Sequence, residues 1–103
     1  MKLIINNDEF EIKECIKFKD RLFGLMFKKN FNYGLLFNEC SSIHTFFMKE
    51  PIDVIGLDEN NNVVGYKKNL KSYRFLKIKG SKKIIELPAN SIKDKCLKIK
   101  FEN

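Results

Sequence analysis

Ile52-Asp53-Val54-Ile55-Gly56-Leu57, then Asp58-Glu59-Asn60-Asn61-Asn62, then Val63-Val64-Gly65-Tyr66, reads as a strand, a turn and a second strand. The outer runs are rich in β-branched residues, whose crowded Cβ suits a pleated surface better than a helix. The five residues between them are all polar, and asparagine tolerates the left-handed backbone that a tight turn demands. This pattern predicts a β-hairpin with Val54 close to Val63.

Upstream, Pro51 removes a backbone donor and biases Glu50 toward extended geometry, so the apolar run 43–48 ends before the hairpin begins. Gly34-Leu35-Leu36-Phe37 reads as a buried strand between polar clusters. Residues 2–6 and 10–13 read as an opening pair of strands that turn at Asn7, Asp8 and Glu9. Downstream, residues 73–78 and 83–87 flank the Gly80-Ser81 turn, and 97–101 alternates with Leu97, Ile99 and Phe101 inward.

Only one stretch has helical spacing. Ile16, Phe18, Leu22, Phe23, Leu25 and Met26 oppose Lys17, Lys19, Asp20 and Arg21, which predicts a short helix over 16–27. Gly24 costs that helix about 1 kcal/mol, and residues 92–96 have room for one helical turn. The expected fold is mainly β, barrel- or sandwich-like or a strand-dominated α+β arrangement, with those two helical pieces.

A chain of 103 residues that is 44% apolar has material for one core, so a single domain over 1–103 is expected. Cys15, Cys40 and Cys96 are odd in number and form no CxxC pair, which excludes a disulfide framework or a four-cysteine zinc site. No segment has the apolar length of a signal peptide or membrane span, so a cytoplasmic location and no membrane partner are expected. The net charge of +7 raises nucleic acid as a partner. Against it, only Arg21 and Arg74 are arginines, and the guanidinium fork is what phosphate and base readers favour.

Arg21 with Gly24-Leu25-Met26, then Gly34-Leu35-Leu36-Phe37, Ile43-His44-Thr45-Phe46-Phe47-Met48, Pro51-Ile52-Asp53-Val54 and Glu86-Leu87-Pro88-Ala89 occur in a fixed order. In that order they resemble the prokaryotic family named domain of unknown function 192, over most of the chain. The resemblance implies a compact, mainly β domain and no assigned activity or cofactor. Asn90 stands where that family usually has glycine, and its usual C-terminal Gly-Asp pair is missing around residues 98–100.

His44 is the single histidine. Asp53 and Glu86 each interrupt a hydrophobic run, where an unpaired charge is costly to bury, so each must be exposed, hydrogen-bonded or functional. The leading expectation is a binding module for a small molecule or protein, with a polar cleft lined by His44, Thr45, Met48, Asp53 and Glu86. The alternative is a nucleic-acid or ribosome-associated module. It rests on Lys67, Lys68, Lys71, Arg74, Lys77 and Lys79, within a stretch 60–85 that holds no acid and interleaves Tyr66, Tyr73 and Phe75. The bland reading of those lysines is a guarded sheet edge. A small enzyme ranks third, since no nucleophile, base and anion-stabilising set is spelled out. Cys40, His44, Met26 and Met48 are soft ligand types scattered over several segments, and no metal site is read from them.

Overall fold

The computed structural model describes residues 1–16, 31–46, 48–93 and 97–102. Its strands are β1 (Lys2–Ile5), β2 (Asp8–Glu14), β3 (Tyr33–Asn38), β4 (Ser42–His44), β5 (Ile52–Leu57), β6 (Val63–Leu70), β7 (Phe75–Lys77), β8 (Lys83–Pro88) and β9 (Ile99–Glu102). Seven of them form one sheet in the order β6-β5-β8-β3-β2-β1-β9, and β4 and β7 form a separate two-stranded ribbon. Only β2 and β3 run parallel; every other pair is antiparallel. The architecture is mainly β, as the sequence predicts.

Side chains alternate across each strand, so the sheet has two apolar faces. Leu3 and Ile5 from β1 share one cluster with Ile55 and Leu57 from β5, although three strands separate them in the sheet. The sheet therefore curls, and this cluster lines its concave side. Leu35, Phe37, Ile52, Val54 and Ile84 form a second cluster on the convex side, which Ile43 and Leu76 of the ribbon cover.

Two glycines let the chain lie close over that convex side. Gly56 and Gly65 face each other across β5 and β6, and a Cβ on either would come within 2.8 Å of Ile78 Cγ2. Gly34 is packed more tightly still. A Cβ there would sit 2.6 Å from Ile12 Cδ1, 2.7 Å from Leu87 Cδ2 and 2.8 Å from the Glu86 carbonyl oxygen. Because that oxygen belongs to a paired central strand, it cannot swing aside as a side-chain tip can. Gly34→Ala is expected to cost about 2–3 kcal/mol. The check is urea denaturation, with a lower midpoint at an unchanged m-value; a midpoint within error of wild type contradicts the packing account.

The hairpin turn forms as its composition predicts. The Asp58 carboxyl accepts the Asn60 and Asn62 backbone N–H groups at 2.9 Å each, and Asn61 takes a left-handed φ of 66°. The Asn62 N–H is foremost among the groups that hold the Asp58 pKa below its usual value. The register differs from expectation: Leu57, not Val54, lies opposite Val63, and Val54 faces Lys67. The loop closes directly between 57 and 63, a register shift between Gly56 and Leu57 then moves Val54 opposite Lys67, and a second shift between Ile52 and Val54 places Ile52 opposite Leu70.

Other boundaries move for local reasons. Asn6 and Asn7 both have positive φ, so they make the first turn, and Asp8 and Glu9 already belong to β2. Among the described residues of the run 43–48, only Ile43 and His44 lie in a strand, the three-residue β4. The run 73–78 shortens to β7, and the final strand begins at Ile99. Leu97, Ile99 and Phe101 do pack against the concave cluster. No helix occurs among the described residues. Of the helix expected over 16–27, Ile16 lies in irregular backbone and the remainder lies outside the described residues. In the turn expected over 92–96, Ile92 and Lys93 are not helical and the other three lie outside the described residues.

Candidate binding surface

Thr45 is fully buried and joins two loops. Its backbone N–H donates to the Arg74 carbonyl at 2.9 Å, and its own carbonyl accepts the N–H groups of Tyr73 at 3.0 Å and Met48 at 3.2 Å. The Thr45 hydroxyl donates to the Lys71 carbonyl and accepts the Arg74 N–H at 2.9 Å, using both capacities of the group. Ser72 adds a bond from its hydroxyl to the Met48 carbonyl at 2.7 Å. Held this way, Tyr73 takes a φ of 60°, which is costly for a bulky residue and persists only where the surroundings fix it.

The consequence is a row of rings. His44 and Phe75 are cross-strand partners in the ribbon, so their side chains share its outer face while Ile43 and Leu76 face the core. The His44 ring lies 5.1 Å from that of Phe46, and Phe46 lies 6.1 Å from Tyr73, each pair tilted by about 30°. The Phe46 N–H donates to His44 Nδ1 at 3.3 Å, which orients the imidazole. Phe46, Tyr73 and Phe75 are 44%, 61% and 70% exposed, so this row is not core.

Exposed cations lie close to the row along the chain. Lys71 and Arg74 are exposed in the loop that Thr45 braces, and Lys77 shares the outer face with Phe75, opposite Ser42. Lys67 and Lys68 lie apart from these on β6, an edge strand, where charge blunts sheet-to-sheet pairing. Lys79 follows β7, in the wall of an open depression of about 900 Å³.

The two buried carboxyls point to opposite faces, because Asp53 pairs with Leu87 and Val54 with Glu86. Asp53, on the concave side, accepts the Asn69 N–H at 2.9 Å on Oδ1 and the Ile92 N–H at 2.8 Å on Oδ2. Glu86, on the convex side, sits directly between Leu35 and Val54, and its Oε1 has no hydrogen-bond partner. Burial pushes its pKa from the ordinary 4.5 up to about 8, so the group is predominantly neutral at pH 7.

The five residues of the expected cleft are thus dispersed. His44 is on the ribbon's outer face, Thr45 is locked beneath it, and Met48 belongs to the convex cluster with the flanking neighbours of Glu86. Asp53 is on the far side of the sheet. Among the described residues no three of His, Cys, Asp and Glu gather in a way that could hold a metal ion. Phe46, absent from the sequence-based candidates, is the residue that connects His44 to Tyr73.

A curled mixed β-sheet with a two-stranded ribbon across its convex face defines a small β domain whose distinguishing surface is aromatic and basic. The chain belongs to the family DUF192, described as an uncharacterised ACR, whose model matches residues 1–100. It is 37% identical over 89 residues to UPF0127 protein TK1120 of Thermococcus kodakarensis, covering 81% of this chain and 57% of that one. It is 42% identical over 88 residues to a UPF0127 protein of Thermococcus sibiricus, covering 79% and 56%. The chain therefore spans little more than half the length of these relatives. The crystal structure of a protein of unknown function from Novosphingobium aromaticivorans shares the fold with a TM-score of 0.80 at 16% identity, over 97% of this chain and 84% of that one. No helix among the described residues is long and apolar enough to cross a membrane.

Proposed function

We propose that this protein binds single-stranded nucleic acid on the outer face of the ribbon. The observation that carries the reading is the row of Phe75, Phe46 and Tyr73, exposed rather than packed, with half-buried His44 among them and the exposed Lys71, Arg74 and Lys77 within two residues of Tyr73 or Phe75 in the chain. Unpaired bases offer flat faces that stack on such rings regardless of sequence, and the phosphates between them require nearby cations. A neutral sugar would use the rings but gain nothing from the cations. A duplex hides its base faces, so it would use the cations but not the rings. The net charge of +7 favours the encounter at long range. The reading goes with a cytoplasmic location, where single-stranded RNA is abundant.

The test is fluorescence anisotropy with a labelled twelve-nucleotide oligo(dT) at about 50 mM salt. Micromolar affinity is expected for wild type. Phe75→Ala should weaken it roughly 5- to 30-fold, from the loss of about 1–2 kcal/mol of stacking, with an unchanged melting temperature because the ring is mostly in solvent. No saturable binding by wild type, or equal binding by Phe75→Ala, defeats the proposal.

A further inference from the structure

The ribbon has two ends, and they differ. At one, the ring row runs from His44 and Phe75 through Phe46 to Tyr73. At the other, beyond the Ser42 and Lys77 pair, lies the open depression, with Lys77, Lys79, Lys82 and Lys83 in its lining. Lys77 belongs to both, because it shares the outer face with Phe75 and also borders the depression. Resting on the nucleic-acid reading, we infer that the bound strand continues from the rings into this depression, where Lys79 and Lys82 contact its phosphates.

Charge supports that path. Lys83 reaches the Asn61 side-chain oxygen at 2.7 Å, whereas Lys77, Lys79 and Lys82 make no ion pair among the described residues. Glu39 and Glu59 also line the depression, which leaves four lysines against two acids and a positive balance. Gly80 forms part of this lining with a φ of 83°, and nothing lies within 4 Å of the place a Cβ would occupy there. A backbone can thus approach without meeting a side chain. The spacing is also suitable: Phe75 and Lys77, two residues apart on one strand, stand about 6.6 Å from each other along it, comparable to the repeat of an extended single strand.

The experiment measures the salt dependence of oligo(dT) affinity for wild type, the Lys79→Gln/Lys82→Gln double variant, Phe75→Ala and a Lys67→Gln/Lys68→Gln control on β6. Each phosphate contact to a single strand contributes about −0.7 to the slope of log K against log salt. The depression variant should lose about 1.4 of that slope. Phe75→Ala should bind less tightly at an unchanged slope, and the β6 control should match wild type. An unaltered slope in the depression variant, or a loss of slope in the β6 control instead, overturns the path and leaves the ring row standing. Absence of wild-type binding overturns the ring reading on which the path rests.

Discussion

Asp53→Ala is expected to lower the stability of the protein by about 3–5 kcal/mol, one of the two largest effects of a single side chain. Asp53 is fully buried and its two oxygens accept backbone N–H groups from separate segments, Asn69 on the edge strand and Ile92 after β8. Each such bond contributes roughly 1.5 kcal/mol or more when made, and each buried N–H left without an acceptor costs about 1–3 kcal/mol. Neither donor has a ready substitute. Asn69 has a left-handed φ of 53° beside the register shift in the β5–β6 pairing, and the Ile92 side chain is itself in the concave core. Asp53→Asn keeps the volume but presents an NH2 where an acceptor is needed, so it should recover less than half of the loss. In thermal denaturation the alanine variant should melt roughly 12–20 °C below wild type. A fall of under 4 °C in both variants would show that the carboxyl does not tie these segments together.

How much of this was legible in the chain depends on how local the cause is. The strands β3, β5 and β8 are continuous apolar runs bounded by turn formers, and the 58–62 turn is written in its own asparagines. The sequence marks Asp53 and Glu86 as unusual because polar groups interrupt such runs. It does not show which face each takes, since that depends on strand pairing, and Asp53 meets partners 16 and 39 residues away. The expected cleft failed to assemble for that reason. The ribbon strands are three residues each, too short for propensity to delimit. Phe46 lies in a run that reads as core, yet it is exposed because the chain leaves β4 at Thr45. The nearest sequence signal was the placement of Tyr73 and Phe75 among basic residues, which singled out two members of the exposed ring row before its geometry was visible.

Glu86→Gln should do the opposite of Asp53→Ala and stabilise the protein, by about 4 kcal/mol at pH 8 and by little at pH 4. The group is neutral in the folded state up to about pH 8 because burial disfavours its charge, whereas in the unfolded chain it ionises near 4.5. Below 4.5 both states hold the proton, and the ionisation of Glu86 takes nothing from stability. Between 4.5 and about 8 only the unfolded state releases it, so wild type loses about 1.4 kcal/mol per pH unit. Above about 8 both states are ionised and the loss levels off. Glutamine has no proton to release, so the variant should lack this fall. Measured by urea denaturation from pH 4 to 9, the two stability curves should coincide in acid and diverge as the pH rises. Parallel curves would mean that the carboxyl ionises as readily in the fold as outside it, and the account of its burial would be wrong. Divergence would establish that this position, directly between Leu35 and Val54, carries a carboxyl where an uncharged side chain gives a sturdier fold. A residue that lowers stability persists as long as the fold stays above its stability threshold, whether or not binding also requires it. Comparing oligonucleotide binding by the two forms at pH 7, where both are folded, would then separate a requirement that acts through the ribbon above it from one that does not.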